Sequence, residues 1–572
     1  MTEGEKKDKK KISRNRLDPE VYKILEGIVG PEWISEDRAI VETYSKYSID
    51  AEGFLKKHQK DGSNIPACIV LPHTLGEIQS IVRVLNRYRI PFSPFTNGQI
   101  VCGPTSSAPT VFLHLSRMNK ILDIDEENLN MTVEPYVDYR QVQAEAMKRG
   151  LWNGGTPLST SLTKMASQFA FAGLWQTDLK YSNLGRNIVG VEMVLPTGEI
   201  LRTGSSTISN AGSFYEYGPG PDLHGLLRSS MATTGIITKV TIKLHPWVGE
   251  PVLKAPQDRP SLNDWSNPKY DRAEVPKNHR LIWIECPDLR TQLEMLYRVC
   301  HAGIGMGLNS CGVYSAYYCS QTQEMTEKRV KERFFPSYNV YVIMAAITSE
   351  KQLEYEEKVF RHIVDQVGGC KFFGPDYKPE VLEALSTWNL DFVRNIFGYR
   401  MNRRMYASVW IPLGEIDMAK AHQVAWQDAL DNFKPLHITD EGGKKDTPFV
   451  YCVNRGHFAY TETDNYPDPL NPEQLATAIA YMAYGAARLV KEKVAGYPVL
   501  GLPIEPFTSF FPEVGPNTNL FLRKIRKVFD PNEVAAPGRQ VFTEKEFRKI
   551  PERISRLFNS MRSLHGMEEI KN

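Results

Sequence analysis

Between Ala67 and Phe95 the spacing of apolar residues changes twice. Ala67-Cys-Ile-Val-Leu71 is an unbroken apolar run of strand length. Leu75, Ile78, Ile81, Val82 and Leu85 then recur at helical intervals behind Thr74-Leu-Gly-Glu77, which has capping-box spacing. Ile90 to Phe95 returns to extended character, so the stretch predicts a β–α–β unit. Leu122–Asp125 and Met131–Val137 pattern as a hairpin, and Asp138 caps a helix that runs through Lys148 and stops at Gly150. Asn187–Leu195 is a strand, Leu195-Pro-Thr-Gly198 fits a type I turn, and Glu199–Thr203 returns beside it. A loop rich in Ser, Gly and Pro leads through Gly218-Pro-Gly-Pro-Asp222 into Leu223–Met231, and Gly235–Leu244 is a last strand of alternating character.

From Pro251 the pattern changes to a Pro/Asp-rich linker and then to strands alternating with amphipathic helices. The expected strands are Arg280–Cys286, Asn339–Thr348, Tyr406–Ile411 and Phe449–Tyr460; the expected helices are Glu350–Val367 and Glu415–Asn432. Repeated units of this kind predict one sheet covered by helices. Gly485 and Gly496 bracket a return point, and a final helix starts at Asn517 before Asp530-Pro531.

Two segments interrupt these elements with chemistry rather than packing. Ile90-Pro-Phe-Ser-Pro-Phe-Thr-Asn-Gly-Gln-Ile-Val-Cys-Gly-Pro104 leaves the first unit with two glycines, Gly98 and Gly103, and few bulky charges. Such a loop can turn its backbone N–H groups onto a diphosphate, although its composition also fits an ordinary turn. Leu151–Thr163 is a second Gly/Ser/Thr segment, suited either to a polar surface turn or to a phosphate or ring carbonyl.

Composition narrows the class. The chain has 572 residues, 42% hydrophobic and 24% charged, with a net charge of +2, which fits two or more domains and gives no reason to expect nucleic acid. Glu5–Lys11 is a charged stretch read as a solvated, disordered tail over 1–16, and no apolar run reaches membrane-spanning length. The eight cysteines form no Cys-x-x-Cys pair, which predicts reduced, mostly buried thiols and a cytoplasmic location. The scattered histidines show no metal-ligand spacing.

Read together, the glycine loop, the second polar loop, "VEMVLPTGEILRTG", "YGPGPDLHGLL", "TTGIITKVTIKLHP" and the terminal "RKVFDPNEVAAPGRQVF" resemble the vanillyl-alcohol oxidase and p-cresol methylhydroxylase family. The likeness covers about 65–247 and 496–542 and is one of layout across 250–495. It implies an α+β, two-domain flavoprotein: a PCMH-type FAD-binding domain of two α/β subdomains, and a cap domain with an antiparallel sheet covered by helices. The implied boundaries are 17–250 and 496–572 for the FAD-binding domain and 251–495 for the cap. The implied cofactor contacts are Pro94, Thr96, Asn97, Gly98, Gln99, Ile100 and Gly103, then Pro157, Ser159, Thr160, Ser161 and Thr163, with Gly235, Ile236 and Ile237 at the adenosine end. Arg539 occupies the family position for a cation beside the flavin N1 and C2 carbonyl.

Departures from the family shape the expected substrate. The phenolate-binding tyrosine position falls at about Ile100, and the Tyr-Arg position falls within Pro498-Val-Leu-Gly-Leu-Pro503. Leu158 follows Pro157 where the oxidase has an acid. Ile100, Leu158, Tyr406, Leu500 and Leu502 are therefore the expected pocket, and it lacks the phenolate set. The linking histidine would fall near Ala407, which predicts non-covalent FAD, with Tyr406 beside it as the one tyrosyl alternative; Cys102 is expected to pack rather than link. For acid–base work the sequence offers Arg455 and His457, which alternation places with Ala459 on one strand face. Arg400, Arg403 and Arg404 read as a solvated cluster, and nothing resembles the Gly-Glu-His-Gly-type metal motif of flavin D-2-hydroxyacid dehydrogenases. The expectation is an FAD-dependent oxidoreductase taking a hydride from a largely apolar aromatic or alicyclic molecule. It passes electrons to a quinone, cytochrome or other acceptor protein, within a homo- or hetero-oligomer. The alternatives are an oxygen-using oxidase, a D-2-hydroxyacid dehydrogenase and a flavin-holding structural subunit.

Overall fold

The computed structural model describes residues 16–44, 65–96, 109–155, 163–171, 173, 175–251, 278–311, 328, 331–332, 336–377, 408–410, 413–432, 448–465, 477, 518–537 and 539. The first element, helix α1 (Pro19–Val29), has Asp18 as its N-cap and Pro19 in its first turn, and buries Val21, Leu25 and Val29 on one stripe. It is followed by β1 (Ile34–Ser35) and α2 (Arg38–Thr43), then by the expected unit of β2 (Cys68–Val70), α3 (Leu75–Arg87) and β3 (Phe92–Phe95). Thr74 accepts from the Glu77 N–H, while the Glu77 carboxylate reaches back to the His73 N–H, so both side chains at the predicted cap satisfy free donors. With β4 (Val111–His114) these strands form a four-stranded sheet in the order β1-β2-β4-β3, in which β4 runs parallel to both β2 and β3. Ile78, Ile81, Val82 and Leu85 of α3 are wholly buried against it, each contributing about 1.5–3 kcal/mol.

The second layer is antiparallel. β5 (Ile121–Asp125), β6 (Asn130–Val133), β8 (Ile188–Val194), β9 (Ile200–Arg202) and β10 (Ile236–Lys243) order as β5-β6-β10-β8-β9. Helix α4 (Tyr139–Met147) enters through a complete capping box of Asp138 and Gln141. It leads to β7 (Leu151–Trp152), which pairs with β11 (His245–Pro246). Short helices α5 (Met165–Phe171), α6 (Asp178–Tyr181) and α7 (Leu223–Leu227) complete this part.

Among the described residues the remaining sheet has eight strands: β12 (His279–Glu285), β13 (Gly307–Ser310), β14 (Asn339–Ala345), β15 (Lys371–Phe372), β16 (Ser408–Trp410), β17 (Leu413–Gly414), β18 (Phe449–Val453) and β19 (Phe458–Asn465). All its pairs are antiparallel. Helices α8 (Leu289–Ala302) and α9 (Glu350–Val367) cover one face, packing Leu296, Val299, Phe360 and Val364 on Ile284, Val342 and Val450; α10 (Met418–Asn432) adds Ala419. The mixed α/β architecture with a helix-covered antiparallel sheet is the one the resemblance implies. The other sheet face carries a cross-strand row, Trp283–Tyr341–Asn309–Tyr451–Tyr460. It meets the segment before α6, where Tyr341 donates to the Gln176 side chain and Asn309 to the Gln176 carbonyl.

One expected strand is corrected. Phe449–Tyr460 is not continuous: Asn454–Gly456 forms a tight turn in which Asn454, Arg455 and Gly456 all have positive φ, and β18 folds back on β19 with Val453 opposite Phe458. The alternation that put Arg455, His457 and Ala459 on one face therefore breaks. Arg455 and His457 are exposed and Ala459 is buried.

Helix α11 (Thr518–Phe529) brings the chain back to the first two layers. Phe529 packs on the core of the second sheet, whereas Val534 and Ala535 belong to the core of the first.

Candidate functional site

The glycine loop leaves β3, whose edge is completed from the far end of the chain. The Phe92 N–H donates to the Val534 carbonyl (2.8 Å), and the Ala536 N–H donates to the Phe92 carbonyl (2.7 Å). Asp530, with no exposed surface, holds this turn by accepting the Val534 and Ala535 N–H groups at 2.9 Å each. Arg526 donates to the Ala535 carbonyl at 2.7 Å and lies 3.8 Å from the Asp530 carboxylate. Burial raises the Asp530 pKa in spite of that cation. Arg539 follows within the same turn, 5% exposed, its N–H donating to the Ala536 carbonyl. The structure thus sets the expected flavin-facing arginine beside the start of the glycine loop.

Pro94 and Thr96 lie half-buried at the end of β3; Asn97, Gly98, Gln99, Ile100, Cys102 and Gly103 lie outside the described residues. Phe95 packs in an aromatic wall with Tyr44 (5.0 Å), Phe112 (5.8 Å) and His114 (5.4 Å). His114 meets the Tyr44 hydroxyl at 2.8 Å, and burial lowers its pKa. Its ring also packs on Tyr136 at 5.7 Å.

Tyr136 is where the second polar loop arrives. The buried Lys164 ammonium sits 4.4 Å over the Tyr136 ring and 3.2 Å from the Asp138 carboxylate. Thr163, also buried, accepts the Tyr139 N–H through its carbonyl. The stem of the second loop thus reaches Tyr136 through Lys164, and Phe95 at the stem of the glycine loop packs on His114, which in turn packs on Tyr136. At the other stem, Gly154 has φ +89, and a Cβ on Gly155 would fall 2.1 Å from the Thr177 hydroxyl and 3.0 Å from Trp175. Only glycine fits so tight a turn. Pro157, Leu158, Ser159, Thr160 and Ser161 lie outside the described residues, as do Tyr406, Leu500, Leu502, Ala407 and Arg400–Arg404.

Gly235 has φ +138, and a Cβ there would lie 2.4 Å from the Val194 carbonyl. The residues it leads into straddle the seam: Ile236 packs in the core of the first sheet and Ile237 in that of the second. Just before it, Ser229, Met231 and Ala232 hold left-handed conformations without being glycine, a concentration of backbone strain of the kind found at ligand clamps.

The buried Tyr139 hydroxyl, Asn153 Oδ1 and Asp178 Oδ2, near the second loop, have no hydrogen-bond partner among the described residues. Asp178 is wholly buried, its other carboxylate oxygen accepting the Trp175 N–H, and burial raises its pKa well above the ordinary carboxyl value. Sequence reading missed Tyr136, Lys164, Asp178 and Asp530. The available signal was a buried-type charge next to each loop stem, which no spacing rule distinguishes from a helix cap. Neighbouring loop stems, glycine-only close approaches and buried polar atoms without a partner among the described residues together fit a flavin nucleotide lying along the seam between the two sheets. Arg455 stands apart from this seam, donating to the Gly303 carbonyl at 2.8 Å on an exposed turn.

Residues 66–204 match the family described as FAD binding domain. The chain is 30% identical over 186 residues to glycolate oxidase subunit GlcD of Bacillus subtilis, covering 32% of this chain and 38% of that protein. It is 34% identical over 193 residues to 1'-carboxy-chondrochloren decarboxylase of Chondromyces crocatus, covering 32% and 34%. The chain thus spans little more than a third of the length of either relative. Among solved structures it resembles p-cresol methylhydroxylase with substrate bound (TM-score 0.67, 16% identity, 91% of this chain and 96% of that one). It also resembles 4-ethylphenol oxidase from Gulosibacter chungangensis in an isoeugenol complex (TM-score 0.69, 16% identity, 92% and 98%). These likenesses establish an FAD-binding domain and the PCMH-type fold.

Proposed function

Proceeding from a chain that carries an FAD-binding domain and folds as the p-cresol methylhydroxylase-type flavoproteins do, we propose that it is an FAD-dependent oxidoreductase. In this reading it takes a hydride from a small, largely apolar substrate. The observation that carries the proposal is the pairing of Phe92 with Val534 and Ala536, which seats the Arg539 turn at the root of the glycine loop. Bound FAD supplies the hydride acceptor. The chain supplies Arg539 as a fixed, buried cation for the negative charge that develops near the ring. The buried Lys164–Asp138 pair holds the second loop against Tyr136. Among the described residues, Tyr139, Asn153 and Asp178 have unused hydrogen-bonding capacity beside that loop.

The FAD is held without a covalent bond, since Ala407 stands where the family's linking histidine would be. In this reading Ile100, Leu158, Tyr406, Leu500 and Leu502 are the residues that would meet the substrate, and the electrons leave to an external acceptor such as a quinone or a cytochrome. This reading gives no role to Arg455 and His457, which are exposed. A second reading, oxidation of a 2-hydroxyacid, is favoured by the likeness to the glycolate oxidase subunit.

Burying an unpaired phenolate among apolar side chains costs several kcal/mol or forces the phenol to stay neutral. Vanillyl alcohol and p-cresol are therefore expected to bleach the flavin slowly under anaerobic stopped-flow mixing, and benzyl or alicyclic alcohols faster. Rapid, saturable bleaching by glycolate or D-lactate would establish the second reading. No bleaching by any of these probes would mark a flavin-holding subunit. A folded protein that neither carries nor takes up FAD would overturn the proposal altogether.

A further inference from the structure

We propose that Cys286 and Cys370 are a redox-active thiol pair that closes to a reversible disulfide on exposure to peroxide, stapling the edge of the eight-stranded sheet. This inference is independent of the flavin chemistry. Cys286 directly follows β12 and Cys370 directly precedes β15, and the antiparallel register pairs Ile284 with Phe372 and Glu285 with Lys371. Continuing that register by one step sets Cys286 opposite Cys370. The Phe373 N–H donates to the Trp283 carbonyl, so the 283/373 pair is hydrogen-bonded, and alternation makes 286/370 a non-hydrogen-bonded pair. Such pairs bring their Cα atoms to about 4.5 Å, inside the range of about 4.4–6.8 Å that a disulfide accepts.

The side chains use this placement: the two Sγ atoms are 3.8 Å apart. Gly368 and Gly369, both at positive φ, turn the chain out of α9 and deliver Cys370 to its position.

The two thiols are not equivalent. Cys286 is buried, and Cys370 is part-exposed. The hydrogen bond between the two thiols lowers the Cys370 pKa, while that contact and burial raise Cys286. A more acidic, accessible thiol beside a second thiol is the arrangement of a peroxide-reactive cysteine and its resolving partner. The Cys370 thiolate attacks one peroxide oxygen, breaking the O–O bond and giving a sulfenic acid with loss of hydroxide. The Cys286 thiol then attacks that sulfur, the S–S bond forms, and the sulfenic oxygen leaves as water after taking the thiol proton. In sum, two thiols and one hydrogen peroxide give one disulfide and two waters, a two-electron oxidation. Cys300 and Cys452 form a second close pair, but both are buried, so they serve as an internal control.

The test treats the reduced, desalted full-length protein with hydrogen peroxide and maps its peptides without reductant. The expected result is a single cross-linked species joining the Cys286 and Cys370 peptides, lighter by two hydrogens than their sum and reversed by dithiothreitol. Its formation should raise the apparent melting temperature by several degrees, because the link constrains a long unfolded loop. That rise should be missing in C370S and, if this variant folds poorly, in C286S. A sulfinic acid accumulating at Cys370 with no cross-link would overturn the proposal. So would a link through Cys300 or Cys452, or no change at either cysteine.

Discussion

Arg539 illustrates how much a single side chain depends on where the backbone puts it. Its identity and its place in Ala-Pro-Gly-Arg are visible in the sequence, but its burial and its position at the root of the glycine loop come from the Asp530 turn. Removing one positioned donor to developing negative charge costs roughly 10²–10³ in rate. Arg539→Ala is therefore expected to slow substrate-driven flavin reduction by about that factor while leaving the melting temperature near wild type. Equal reduction rates would place Arg539 away from the ring. Backbone strain makes a second prediction at this scale. Ala232 sits at φ +65 without the freedom of glycine, a conformation that costs an L-residue about 1–2 kcal/mol. Ala232→Gly should raise the urea midpoint by the equivalent of up to about 1 kcal/mol, the extra unfolded-state entropy of glycine offsetting the rest. A loss of stability would show that the methyl group contributes packing that outweighs the strain.

Among the elements, the terminal turn carries the most consequence for its size. Asp530 accepts two N–H groups and faces Arg526 at 3% exposure. Asp530→Ala leaves both donors unsatisfied and a buried cation without its carboxylate, a loss of about 3–5 kcal/mol. The expected outcome is a large drop in melting temperature together with faster FAD dissociation on dilution, and Asp530→Asn should recover part of both. Full FAD retention in Asp530→Ala would separate this turn from the cofactor site. The β18–β19 hairpin shows where periodicity misleads. Val453-Asn-Arg-Gly-His-Phe458 has no strong turn pair, and an apolar run on either side reads as one strand. The chain reverses there because Gly456, Asn454 and Arg455 accept left-handed backbone once the two strands pair. Helix α1, with Asp18-Pro19 at its start and the Val21/Leu25/Val29 stripe, was not among the elements expected from the sequence.

For the molecule as a whole, buried histidines set the response to acid. Burial pushes His224, His245 and His279 down to about 4 and His422 to about 3, below an ordinary value of 6.5. These groups are neutral when folded and take up protons on unfolding, so their contribution is present above pH 6.5 and is lost as pH falls toward 4. The expected slope is about 1.4 kcal/mol per histidine per pH unit within that window. Asp178 and Asp530, whose values are raised, act in the opposite sense and lose stability as pH rises through their folded values. Urea midpoints measured from pH 7 to 5 should fall steadily, and a flat profile would show that these histidines are solvated. The sequence by itself determined the elements whose signal is local: the β–α–β unit, the capped helices and the class of cofactor. Each of these rests on contacts within a few residues, which spacing and residue type express directly. Only the tertiary structure decided that Phe92 pairs with Val534 and Ala536 and that His114 links Phe95 to Tyr136, under Lys164. It also decided that Arg455 and His457 face solvent and that Cys286 stands opposite Cys370. Those outcomes depend on strand order and register between distant segments, and a long-range pairing leaves no periodic trace in either partner alone.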